Sequence, residues 1–249
     1  MGWSTLRFTA AAVGLSGVVA GFIVNVDRAT RDSLDMGLVL ANYFSLFTII
    51  STLISAYALI RAGVWDRRNP GKTPEPVSIA LPLALATAPM ILLGIVYNAL
   101  LRGLPSDAAA SDPPFIGFLD TYAAEVLHVV LPVYFVVDLL FAHRRRGLRW
   151  VNIAVLAAYP LAWLVYTIIR GQFTPDPYGV APAWYPYPFL DPNGAGGWAS
   201  VFTYVAVMLV AFVGIAAAVI AIGRFRARRA ERRSDSSSPT EERADAPIG

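Results

Sequence analysis

The chain reads as an all-α polytopic membrane protein, one bundle of six transmembrane helices with both termini cytoplasmic. Three observations predict this. Apolar residues fill 56% of the 249 positions and charged residues only 15%, less charge than a soluble domain carries. The apolar residues come in blocks of about 20, the length that crosses about 30 Å of hydrocarbon. Basic residues gather in alternate connections, and cytoplasmic loops are the ones enriched in Lys and Arg. A closed barrel would alternate over strands of about ten residues. No such pattern runs through the chain, so helices are left as the way to satisfy the backbone in lipid.

The first block, Leu6–Val26, is too long for a signal peptide. No small-residue cleavage site follows it, and five more blocks do, so it is expected as an uncleaved anchor. Its Gly17 and Gly21 form a GxxxG pair, which lets another helix approach closely. The second block, Leu38–Ile60, carries Ser45, Thr48, Ser51, Thr52 and Ser55 at three- and four-residue steps, one face of a continuous helix. The third, Ser78–Leu101, ends near Tyr97 and Asn98. The fourth, Phe118–Ala142, holds Glu125, His128 and Pro132. A very short link, His143–Trp150, joins it to the fifth, Val151–Ile169, so these two spans are expected to be adjacent and antiparallel. The sixth is Trp198–Ile222.

Arg61, Arg67, Arg68 and Lys72 follow the second block. Arg144, Arg145, Arg146 and Arg149 follow the fourth, and Arg224, Arg226, Arg228, Arg229, Arg232 and Arg233 follow the sixth. The other connections hold only Arg28, Arg31, Arg102 and Arg170. This asymmetry puts both termini inside. The net charge of +3 then belongs to topology and to anionic lipid headgroups at the basic cytoplasmic loops, and no nucleic-acid partner is needed to explain it. Residues 1–223 form the transmembrane domain. Residues 224–249 combine low hydrophobicity with mixed charge and are expected as a disordered cytoplasmic tail.

The fifth connection, 171–197, reads GQFTPDPYGVAPAWYPYPFLDPNGAGG. Its prolines forbid a regular helix. Trp184, Tyr185, Tyr187 and Phe189 suit a membrane–water interface. Two readings stand: an interfacial anchor, or a lid over a lipid-entry cavity, since long irregular loops are often functional.

The chain has no cysteine, which excludes disulfides, thiolate catalysis and cysteine metal sites. One histidine within the spans is too few for bis-histidine haem ligation and makes a poor zinc site. No cofactor or metal is expected.

Thr48 and His128 are the candidate reactive pair. Each lies about ten residues into its span from the outer side, about 15 Å of helix, and therefore near the midplane. A histidine in hydrocarbon is a functional hypothesis by default. Pro132 has no N–H for the His128 carbonyl, so a kink is expected there, with the freed carbonyl needing another donor. A neutral imidazole accepts a proton, and a threonine hydroxyl becomes a nucleophile when an adjacent base removes its proton. The pair suits acyl transfer to an ester carbonyl. Glu125 and Asp191 are candidates for orienting His128, and Tyr97 and Asn98 for stabilising an oxyanion.

Other readings exist for the same residues. Hydroxyl side chains serve helix packing, His128 is explained equally by a structural bond to a neighbouring helix, and Glu125 by a basic partner near the outer surface. Asp138 is expected to meet Arg61 or Arg149. A different function is a small-molecule or proton-coupled carrier with Glu125 and His128 as relay groups, although no inverted repeat is visible. A structural or assembly protein is the third.

The stretches NYFSLFTIIS around Thr48, LHVVLPVYFVVDLLF around His128, and WYPYPFLDP at Trp184–Pro192, with GIVYNALLRG and YPLAWLVYTIIRG, cover most of the bundle. In them the chain resembles the androgen-induced family of multispanning hydrolases, which cleave fatty-acid esters of hydroxy fatty acids. It resembles more closely their bacterial six-span relatives, the Pr-six-Pr membrane proteins. The resemblance implies Thr48 as nucleophile and His128 as its partner, a fatty-acyl ester in the membrane as substrate, and a place in a bacterial plasma membrane.

Overall fold

Each apolar block becomes a helix. A computed structural model describes residues 2–71, 73–104 and 111–236. The helices are α1 Trp3–Arg31, α2 Met36–Ser45, α3 Phe47–Arg68, α4 Val77–Val96, α5 Pro114–Glu125, α6 Leu131–Phe141, α7 Asn152–Gly171 and α8 Gly197–Ser236. A π turn, Tyr97–Leu101, extends α4, and a second, Val126–Val130, joins α5 to α6. Six of the resulting rods are long and apolar enough to cross a membrane.

Trp3 and Arg7 of α1 meet Asp138 of α6, Arg7 also meets Asp66 of α3, and Arg226 of α8 donates to the Leu139 and Ala142 carbonyls of α6. These contacts gather the start of α1 and the Arg226 turn of α8 at one end of the bundle, here the terminal end. At the far end, Arg28 and Arg31 of α1 bond Asp112, just ahead of α5, and Arg28 also bonds Asp120. The Arg28 hydrogen bond holds the Asp112 carboxyl below the usual carboxylate range.

The centre is α1 on α3 and α3 on α4. Small residues such as Ala10, Ala58 and Ala62 are buried beside Leu59, Leu83 and Met90, so backbones approach closely and pack by van der Waals contact. The same holds at the GxxxG pair. A Cβ on Gly17 would lie 2.9 Å from Val126 Cγ1, and one on Gly21 would lie 2.9 Å from the Tyr43 hydroxyl. Gly17→Val is therefore expected to cost about 1–3 kcal/mol by overpacking, read as a lower thermal midpoint in detergent. Gly214→Ala is the control, because a Cβ there meets nothing within 4 Å.

Three features differ from the sequence reading. Span two is broken at Leu46 and is taken up below. The fifth span does not pair chiefly with the fourth: α7 packs on α8 and α4. The short link is used up in crossing the terminal end, where Arg144 reaches Asp66 and Arg145 reaches Asp138. Asp138 accordingly meets Arg7, Arg145 and Trp3 rather than Arg61 or Arg149. Lastly, the expected tail begins as helix, since α8 runs on to Ser236. Its Arg- and Ala-rich continuation has high helix propensity, and Arg224 and Arg226 tie it to carbonyls of Leu148, Leu139 and Ala142. Residues 237–249 lie outside the described residues.

Candidate functional site

The break at Leu46 (φ −62°, ψ 133°) separates α2 from α3 without any proline or glycine. A mid-bundle break strands backbone groups that apolar surroundings cannot satisfy, and here side chains and local turns supply partners. Trp163 Nε1 of α7 donates to the Ser45 carbonyl at 2.9 Å. The Leu46 N–H donates to the Tyr43 carbonyl at 3.2 Å, and the Leu46 carbonyl accepts the Ile49 and Ile50 amides. The amides of Phe47 and Thr48 remain at the head of α3, and both oppose the upward shift that burial imposes on the Tyr187 phenol. The positive end of the α3 dipole thus sits at Thr48.

The break also divides the hydroxyl stripe. Ser45 donates to the Ala41 carbonyl and receives the Tyr166 hydroxyl at 2.8 Å. Ser51 pairs with Tyr159 at 2.8 Å, and Thr52 donates to the Thr48 carbonyl at 2.8 Å. Of the five, Thr48 alone lines the large cavity of the bundle.

His128 lies in the π turn Val126–Val130, a widened helical geometry that often marks functional positions. Its Nδ1 is 2.9 Å from the Ala124 carbonyl. A carbonyl only accepts, so Nδ1 carries the hydrogen, and the neutral ring turns the lone pair of Nε2 outward. That atom lies 3.3 Å from Thr48 Oγ1. Tyr97 stacks on the imidazole, centroids 4.0 Å apart and planes 16° from parallel. Asn98 Nδ2 donates to the His128 carbonyl at 3.2 Å, which supplies the donor that Pro132 withholds. Gly94 allows this approach, since a Cβ there would lie 2.9 Å from Pro132 Cβ.

The structure brings Thr48, His128 and Tyr97 together at the cavity. It places the other named residues elsewhere. Glu125 pairs with Arg102 at 2.7 Å, both side chains more than 40% exposed. The Asp191 carboxylate accepts from the Asn193 amide and side chain within its own loop. Asn98 is occupied by the Gly94 and His128 carbonyls. The group that orients His128 is therefore a backbone carbonyl, and the backbone amides of Phe47 and Thr48 head α3 at the Thr48 hydroxyl. Sequence reading missed both because no side chain announces them. It also took Tyr187 for an interfacial aromatic, although the proline-rich stretch carrying it had stood out. Tyr187 lies 3.4 Å from Thr48 Oγ1. Burial pushes its phenol up, and hydrogen bonds from Thr48 and the two amides oppose that.

The cavity has a volume of about 100 Å³. Thr48, His128, Tyr97 and Tyr187 are its polar residues apart from Trp163, whose indole N–H is spent on Ser45. Leu93, Val96, Leu164, Met208 and Phe212 are among its apolar walls, and Phe189 and Leu190 of the 171–197 segment help roof it. A hydroxyl, a base with fixed tautomer, two amides and an apolar chamber are the parts that acyl transfer from a lipid ester requires. No protein-family model, curated protein or solved structure matches the chain.

Proposed function

We propose that this protein is a membrane-embedded lipid-ester hydrolase with Thr48 as nucleophile and His128 as general base. The observation that carries the reading is the Thr48 Oγ1–His128 Nε2 approach of 3.3 Å, with Nδ1 tied to Ala124, at the polar end of an apolar cavity. The basic connections and the spans together favour a plasma-membrane protein with both termini cytoplasmic, so that Thr48 opens toward the outer half of the bilayer.

Thr48 Oγ attacks the ester carbonyl as His128 Nε2 takes its proton. The carbonyl oxygen becomes an oxyanion, for which the Phe47 and Thr48 amides at the head of α3 are the proposed donors. His128 returns the proton to the leaving alkoxide as the ester C–O bond breaks, and the acyl group stays on Thr48. Water then attacks that acyl carbonyl, His128 takes a proton from it and passes it to Thr48 Oγ, and the fatty acid leaves. The Ala124 carbonyl holds the ring in the tautomer that both half-reactions use.

Labelling with a fluorophosphonate probe tests the nucleophile. An adduct on Thr48 that is absent from Thr48→Ala is the expected result, and an unlabelled wild-type protein that also fails to turn over any fatty-acyl ester overturns the reading. The Tyr187 hydroxyl, 3.4 Å from Thr48 Oγ1, competes with an incoming carbonyl oxygen in this reading. Tyr187→Phe is expected to raise kcat/KM by about fivefold, the worth of one competing hydrogen bond near 1 kcal/mol, measured by initial rates. A carrier would need a chain of titratable groups through the bundle. Beside His128 the cavity offers only phenols, and Glu125 is turned to Arg102.

A further inference from the structure

We infer that the cavity is an acyl-chain site that opens sideways into the bilayer between α7 and α8, and that it takes uncharged esters. The ester part of this inference rests on the hydrolase reading, and the chain site rests on the cavity itself. Leu161 of α7 and Leu209 of α8 both line the cavity, yet they are 40% and 37% exposed. On these two helices the cavity wall is thus formed by side chains that also have an exposed outer surface. The helices are also the least buried of the six, with 11% and 22% of their most apolar windows covered. On α8 the lining runs from Val205 to Phe212, about 10 Å of helix. Phe212, 2% exposed, is the last α8 residue of that lining. A hydrocarbon chain entering beside Leu209 thus lies along α8 with its ester at Thr48.

Charge is kept out of this space. Among the described residues, no Asp, Glu, Lys or Arg lines the cavity. The guanidinium nearest its polar end, Arg102, is over the Tyr97 ring and bonded to Glu125. A carboxylate or phosphate drawn inside would meet no cation, and an unpaired charge in apolar surroundings is expensive. A neutral ester with hydrocarbon on both sides of the carbonyl meets no such cost.

The absence of cysteine makes the opening testable at a single engineered thiol. The probe is a diazirine-bearing palmitoyl ester of a neutral alcohol, photolysed with Thr48→Ala in proteoliposomes so that the ester persists. Crosslinks are expected on α7 and α8 near Leu164 and Met208. Leu209→Cys, capped with a bulky maleimide after purification, is expected to lose roughly tenfold or more of that capture, the worth of about two buried methylenes. The same cap on Val210→Cys, at a position whose native side chain is 74% exposed and outside the lining, leaves capture unchanged. A matched probe with a carboxylate on the chain terminus is expected to be captured at least as poorly as by the capped Leu209→Cys protein. Crosslinks on α5, indifference to the Leu209 cap, or equal capture of the charged probe would overturn the inference. Capture as expected without hydrolysis by the wild-type protein removes the hydrolase reading and leaves the chain site. Hydrolysis with crosslinks elsewhere does the reverse.

Discussion

Replacing Thr48 by alanine is expected to lower ester hydrolysis on the order of 10⁴-fold while the bundle stays folded. The hydroxyl makes two long contacts, 3.3 Å to His128 and 3.4 Å to Tyr187, so its loss costs about 1 kcal/mol of stability. In the proposed reaction it forms the covalent bond. His128→Ala is expected to fall as far, and the double variant no further, because nucleophile and base act as a unit. Thr48→Ser keeps the hydroxyl on the same α3 position and is expected to retain measurable turnover. Initial rates on a fluorogenic fatty-acyl ester, with thermal midpoints to check folding, decide the matter. Full turnover by both single variants would remove Thr48 and His128 from the chemistry.

Asp138→Ala is expected to destabilise the protein by about 3–5 kcal/mol. Asp138 is fully buried and accepts from Trp3 Nε1 at 2.8 Å, Arg7 Nε at 2.9 Å and Arg145 Nη2 at 2.7 Å. Removing it leaves two guanidinium groups enclosed with less negative charge. Glu75 stands beside them, at 4.0 Å from Arg7 and 3.6 Å from Arg145. Burial pushes its carboxyl up, and the two arginines pull it back. It shares their charge but does not replace the three direct bonds. The ties lost join α1, α6 and the 142–151 link, so the terminal end is expected to loosen first. A drop in the tryptophan-fluorescence midpoint, with Trp3 as a local reporter, is the measurement. A midpoint unchanged within error would show the cluster to be energetically idle.

The six rods were legible because each is a long uninterrupted apolar block, a signal that needs no tertiary knowledge. The meeting of Thr48 with His128 was legible by counting inward from the same side on two spans. Gly17 and Gly21 announced a close approach, though not to Val126 and Tyr43. What escaped was decided by partners distant in sequence. The break at Leu46 is accommodated by Trp163, which is 118 positions from the Ser45 carbonyl it satisfies, and no proline or glycine marks it locally. The Arg7–Asp138 bond spans 131 positions, and proximity along the chain pointed to Arg61 and Arg149 instead. In the 171–197 segment no helical or strand period says which side chain turns inward. Asp191 was favoured on chemistry, and the backbone turned Tyr187 in.

The helix that forms one jamb of the opening is the same helix whose Trp163 holds the Ser45 carbonyl and whose Tyr159 holds Ser51, on either side of Thr48. A chain that wedges α7 outward loads both bonds, and through them tugs on the seat of the nucleophile. Arrival of a guest and alignment of the reactive oxygen are thereby mechanically linked, and a guest too thin to spread the jamb leaves that linkage slack.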